Sequence, residues 1–237
     1  MQFHQCTTLN NIDRFPGNEH GQLPRECNDM LQIWYMCKTV SPRSIIEIGF
    51  SAGQTFGLFL EAADQAQRWV SVDINYRNKS IFHDIFANCD KVDQITFIKT
   101  DSANLAMLDT FDFIMIDGDH SYEYAKNDIQ KCLHMSHEHT IICVDDSQDI
   151  GVDQAIQELL LGQNDFVPFL AGSKQIFFHR AQHNAVPFLT TLQRVVEPIG
   201  FVFNFDYYGY AITKTHIPRF FEDNKSVFID AVRSYNI

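Results

Sequence analysis

The residues of this chain best suited to chemistry are acids, and they recur at one kind of place. Glu47 (with Gly49), Asp73, Asp101, Asp117 and the pair Asp145-Asp146 each close a short apolar run. A carboxylate at the end of one strand is commonplace. A succession of them argues for a site, because ligands of an open α/β sheet bind beyond the carboxyl ends of its strands.

The first of these turns, Glu47-Ile-Gly49-Phe-Ser51-Ala-Gly53, puts small residues where backbone must approach a ligand, and its glycines can take positive φ. Asp73 follows Gly53 by 20 residues, the separation at which a second-strand carboxylate meets a ribose diol. Taken alone, the turn is equally a tight strand–helix connection. A dinucleotide needs G-x-G-x-x-G with its pyrophosphate on a helix N-terminus. Here the middle glycine is missing and the turn opens with a glutamate, which repels pyrophosphate and suits a cationic amino-acid group. S-adenosylmethionine (SAM) carries a sulfonium and an ammonium, so the turn favours it. Asp101 and Ser102 are then candidates for the adenine edge.

A second constellation is Asp117-Gly-Asp119-His120-Ser-Tyr122, with Asp145-Asp146 beginning 28 residues after Asp117. Asp117, Asp145 and Asp146 could converge on one hard cation, since carboxylates with water suit octahedral Mg²⁺. A cation that chelates a hydroxyl lowers its pKa and orients it. A histidine, with an unperturbed pKa of about 6.5, can take the proton at neutral pH, which makes His120 the candidate base. Methyl transfer in line from sulfur then draws on held geometry. Asp119 is read as a backbone partner in the turn. Tyr122 either stacks on adenine or caps the following helix. His134, His137 and His139 are read as partners of a helix C-terminus rather than zinc ligands.

The elements that must position these groups alternate. A helix is expected over Arg25 to Thr39, stopped by Ser41-Pro42. Strands are expected at 44–49, 69–74, 95–99, 111–117 and 140–146, and helices over Phe56 to Ala66, Ile81 to Cys89, Tyr122 to Met135 and Val152 to Leu161. This order predicts an α/β fold with a doubly wound, mostly parallel, Rossmann-like sheet. The runs 166–170 and 175–179 read as a terminal antiparallel hairpin. Residues 1–23 form an N-terminal segment and 24–180 the main domain. Residues 181–237 form an α+β extension that covers a substrate or makes a subunit contact; its alternating aromatics from Phe201 to Tyr210 read as core.

The Glu-x-Gly-x-Ser-x-Gly turn, Val70-Ser-Val-Asp73 and Thr100-Asp101-Ser102 together resemble the class I SAM-dependent methyltransferases over roughly residues 25–180. The Asp117–Tyr122 segment resembles the metal-dependent O-methyltransferases of the macrocin and sugar type. The resemblance implies SAM held by Glu47, Gly49, Ser51, Gly53, Asp73, Asp101, Ser102, Asp117 and Tyr122. It also implies magnesium on Asp117, Asp145 and Asp146, with His120 as base. Many catechol-type relatives carry Asp-Asn after strand five, so Asp146 departs from them and implies a different metal affinity or third ligand. The expected activity is O-methylation of a small hydroxylated acceptor, a sugar or glycosylated metabolite. Its rivals are a metal-independent small-molecule methyltransferase, a dinucleotide oxidoreductase, and a non-catalytic partner subunit of the same fold.

Composition narrows the classes further. The 237 residues are 45% hydrophobic and 20% charged, an ordinary globular balance that excludes a disordered or collagen-like chain. A net charge of −12 gives no basic footprint for nucleic acid or an anionic membrane. No run approaches the ~18 apolar residues of a membrane span. The opening residues carry no basic-then-apolar leader, and none of the six cysteines pairs as CxxC. A cytoplasmic protein with reduced thiols is expected, acting on a small molecule and open to homo-oligomerisation.

Overall fold

Strand and helix follow from period. In β1 (Ser44–Ile48), Ile45 packs with one hydrophobic layer while Ile46 and Ile48 pack with the other. The same alternation splits Phe113 and Met115 from Ile114 and Ile116 in β4 (Phe111–Ile116). It also splits Ile141 and Cys143 from Ile142 and Val144 in β5 (Ser136–Val144). Strands apolar on both faces must be covered on both, as in parallel sheets. The computed structural model describes residues 5–16, 23–161, 166–171 and 174–180. The expected helices and aromatic stretch of 181–237 lie outside the described residues.

The remaining elements are α1 (Thr7–Asn10), α2 (Leu23–Val40), α3 (Gln54–Ala62), β2 (Arg68–Asp73), α4 (Lys79–Ile85), β3 (Ile95–Lys99), α5 (Tyr122–His134), α6 (Ile150–Ile156), β6 (Phe166–Ala171) and β7 (Ile176–Arg180). The sheet order is β3-β2-β1-β4-β5-β7-β6. Strands β1 to β5 run parallel, and β7 and β6 close the edge antiparallel, as expected. The chain winds outward from β1 to β3, then crosses back to β4. The switch point therefore lies between the carboxyl ends of β1 and β4, where such sheets bind ligands.

One face of the sheet carries α1 to α4 and a cluster of fully buried aromatics, Trp34, Phe56, Phe59, Phe82 and Trp69. The other carries α5 and α6 over Phe111, Ile114, Ile142 and Phe178. Each large side chain so buried contributes on the order of 1.5–3 kcal/mol. Helix α1 is only one turn long, and its end is capped from outside. The Glu61 carboxylate on α3 accepts from Thr7 N (2.7 Å), Thr8 N (3.1 Å) and Thr8 Oγ1 (3.2 Å), satisfying donors a short helix leaves open. That anchor seats Phe15 in the core and brings Pro16 to the site described below.

Several boundaries depart from expectation. Strand β5 starts at Ser136 rather than Thr140, because its polar opening Ser-His-Glu-His hides it from a hydrophobic period. Consequently only His134 serves the end of α5, its Nδ1 lying 3.1 Å from Gln130 O. His137 lies in β5 and pairs with Asp112 at 2.9 Å. Helix α4 stops at Ile85, short of Cys89, and α6 runs into a π-turn over Gln157–Leu161. Among the described residues, no helix is long and apolar enough to cross a membrane.

Candidate active site

The site begins with two turns pressed backbone to backbone. Gly49 N donates to Val72 O (2.8 Å) and Asp117 N to Ile48 O (2.8 Å), extending the parallel ladder past both strand ends. Gly49 has φ +93°, and a Cβ there would stand 1.8 Å from Asp117 O. Only glycine serves, for conformation and for room. Ser51 is also left-handed at φ 47°. Asp73 holds this loop: Oδ2 accepts from Phe50 N (2.7 Å) and Ser51 N (3.2 Å), and Oδ1 from Asn75 N (2.8 Å).

Two cavities open on this rim. The smaller, about 320 Å³, is lined by Gly49, Asp73, Ile74, Thr100, Asp101, Ser102 and Tyr124. The larger, about 420 Å³, is lined by Glu47, His120, Asp145, Asp146, Lys174 and, from α2, Asp29, Met30 and Ile33. Ser51, Asp117 and Gly118 face both cavities and form their common wall. Gly53 lines the larger one.

The carboxylates gather as their strand-end positions require. Burial, then Asp117, Asp73 and Asp145, push the Glu47 carboxyl well above the usual range. Glu47 is 1% exposed, and its Oε2 has no hydrogen-bond partner among the described residues. Burial, Asp145 and Asp146 likewise raise Asp117, and burial and Asp146 raise Asp145. Asp145 Oδ1 is buried and unpartnered. Asp117, His120 and Asp146 each offer one donor atom, all within 4.8 Å of one another. This group takes His120 where the expected set had Asp145, which lies beside it in the same cavity.

His120 is held on both nitrogens. Nε2 lies 3.0 Å from Asp146 Oδ2 and Nδ1 2.7 Å from Asp149 Oδ2. Asp149 escaped the sequence reading because an aspartate before a helix looks like a cap. It occupies the N-cap of α6, yet its side chain makes no capping bond. Asp119, as expected, serves the turn, Oδ1 accepting from Ser121 N at 2.9 Å.

Tyr122 lines neither cavity, contrary to its proposed contact with adenine. Its hydroxyl bonds Glu158 and receives Lys126 Nζ at 2.9 Å, joining α5 to the π-turn after α6, while Ser121 holds the N-cap position. The aromatic ring at the smaller cavity belongs to Tyr124, whose hydroxyl donates to Asp101 Oδ2 at 3.1 Å. Asp101 Oδ1 also accepts from Ala103 N (2.9 Å), which fixes the turn that carries Ser102.

The sheet order, switch point and glycine turn are those of a class I methyltransferase fold. Residues 46–147 match the family model described as a methyltransferase domain. Solved structures of the same fold include SAH-bound methyltransferase PaMTH1 from Podospora anserina. It is 15% identical at a TM-score of 0.52, with 73% of this chain and 82% of that one covered. An O-methyltransferase from Bacillus cereus in complex with SAH is 16% identical at 0.52, covering 63% and 79%. Cofactor-bound Rv0187 from MTB is 15% identical at 0.52, covering 66% and 80%. No curated protein matches the sequence.

Proposed function

We propose that this protein is a SAM-dependent O-methyltransferase that methylates a hydroxyl of a small acceptor, a sugar or glycosylated metabolite, with a divalent ion and His120 as base. The observation that carries the reading is the pair of cavities meeting at Ser51, Asp117 and Gly118. One has the fittings for an adenosyl group and the other those for a chelated hydroxyl. The SAH-bound neighbours, and the Bacillus cereus protein as an O-methyltransferase, support the donor and the reaction type.

Asp73, Asp101, Ser102 and Tyr124 would hold the adenosine. Buried Glu47, with one oxygen unpaired, would accept the ammonium of the methionine end and be held ionised by it. In the larger cavity the donor set fits magnesium or manganese. Carboxylates dominate, and beside burial the nearby carboxylates raise Asp117 and Asp145, a repulsion that a bound cation would relieve. Asp117, Asp146 and Asp145 would hold the ion, which supplies Lewis acidity to the acceptor oxygen. His120 would give its Nδ1–H to Asp149 and present Nε2, beside Asp146, to receive the hydroxyl proton. Asp117 and Gly118 fix the line between donor and acceptor.

Calorimetric titration with SAM, SAH and NAD, with and without Mg²⁺, tests the donor before any acceptor is known. SAM and SAH should bind and NAD should not. Asp117→Asn and His120→Ala should abolish turnover while leaving SAH binding largely intact. Unchanged rates in EDTA would take the metal out of the mechanism. SAM binding without turnover of any acceptor would favour a partner subunit.

A further inference from the structure

We infer that Lys174 is the resident counter-ion of the acidic cavity, and that its ammonium and a divalent cation are alternative occupants of the carboxylate group around Asp146. This rests on the metal reading above and assigns a role to a residue outside the expected ligand set. Among the described residues that line either cavity, Lys174 is the single lysine or arginine.

Three features build it into the site. The first is a clamp: Ser147, directly after the acidic pair, donates both its N–H (2.8 Å) and its hydroxyl (2.6 Å) to Lys174 O. The loop before β7 is thereby tied to the loop after β5, whatever the lysine side chain does. The second is the turn of Asp146, which adopts φ 45°, a left-handed conformation uncommon outside glycine and tolerated best by Asn and Asp. So placed, Asp146 sets Oδ2 toward His120 Nε2 (3.0 Å), while Oδ1 receives Gln148 Nε2 (3.0 Å) and lies 3.8 Å from Lys174 Nζ. The third is charge. Lys174 lines the same cavity as Glu47, Asp117, Asp145 and Asp146, and both side chains of the lysine–aspartate pair are largely shielded, at 19% and 16% exposure. At such separations a unit charge interacts far more strongly than between groups in open water.

Carboxylates this crowded take up protons rather than ionise together unless a cation sits among them. The ammonium supplies one from within the chain, on a stem long enough to swing aside when an ion with several ligand positions arrives. Apo and loaded states then share the same carboxylate geometry, and the lysine sets how much free ion is needed to fill the site.

The test is Mn²⁺ titration of the full chain by calorimetry, comparing wild type with Lys174→Met, Lys174→Gln and Lys174→Arg. SAH binding serves as the folding check. Lys174→Met and Lys174→Gln keep most of the stem and remove the competitor. Each should bind Mn²⁺ at least about tenfold more tightly, roughly 1.4 kcal/mol. Lys174→Arg should stay near wild type. Equal or weaker Mn²⁺ affinity in both neutral variants, with SAH still bound, overturns the role of Lys174 alone. No Mn²⁺ uptake by any of the four proteins, with SAH still bound, removes the divalent ion from the site and both readings with it.

Discussion

His120 Nδ1 lies 2.7 Å from Asp149 Oδ2. The contact fixes the tilt of the imidazole and sets Nε2 beside Asp146. Since the Asp149 side chain makes no capping bond to α6, Asp149→Ala should leave that helix nearly intact. We expect kcat to fall by about a hundredfold, within the ~10²–10⁴ that general base catalysis contributes, with donor KM unchanged. Asp149→Asn, which can still accept from Nδ1–H, should lose less. A wild-type rate in the alanine variant would show that the ring needs no orienting partner.

The contact between the two central turns predicts intolerance at Gly49. A Cβ there meets Asp117 O at 1.8 Å, with φ at +93°. Left-handed strain costs about 1–2 kcal/mol and overpacking typically ~1–3 more. Gly49→Ala should therefore lose about 3 kcal/mol in urea unfolding, together with measurable SAH binding. A variant that melts and binds like wild type would refute the close approach.

Tyr124 and Tyr122 should separate cleanly. Tyr124 faces the smaller cavity, whereas Tyr122 ties α5 to the π-turn after α6 through Glu158 and Lys126. Ring contacts are worth about 0.5–1.5 kcal/mol. Tyr124→Ala should weaken SAH binding some 3- to 10-fold. Tyr122→Ala should lower thermal stability and leave SAH affinity within about twofold. The reverse pattern in calorimetry would return the adenine contact to Tyr122.

Asp128 predicts an inverted pH dependence. It is 1% exposed, has one oxygen without a partner, and burial pushes its carboxyl up to about 6. A folded-state pKa above the unfolded ~3.9 means the ionised form is disfavoured by folding, so stability is lost as pH rises through about 6. Asp128→Asn keeps the acceptor for Asn127 Nδ2 (3.1 Å) and removes the charge. It should stabilise the protein by on the order of 1–3 kcal/mol at pH 8, with the gain vanishing below about pH 4. Chemical denaturation at both pH values decides it.

The sequence was most legible where hydrophobic period and punctuation coincide. The apolar runs ending in Glu47, Asp73, Asp117 and Asp145 became adjacent parallel strands, and their acids met because parallel strands share a carboxyl edge. Tyr122 and Tyr124 sit two residues apart, about 200° around a helix, and the pattern alone does not say which ring turns toward the cavity. Lys174 lay in what read as a plain hairpin turn, and its role depends on β7 returning beside β5. The helix over Arg25 to Thr39 was legible as an element, and only the packing of α2 over the rim makes Asp29, Met30 and Ile33 a cavity wall. Chain order conceals such meetings because they join segments far apart in sequence.

The partition formed by Ser51, Asp117 and Gly118 also governs how selectivity can change. A substitution in those three positions is felt by both substrates at once, so neither preference can drift there without disturbing the other. Tyr124 fronts one chamber and Asp29 the other, and altering them leaves the opposite chamber alone. Divergence toward new acceptors, natural or engineered, has its freest route through the outer walls contributed by α2 and Pro16.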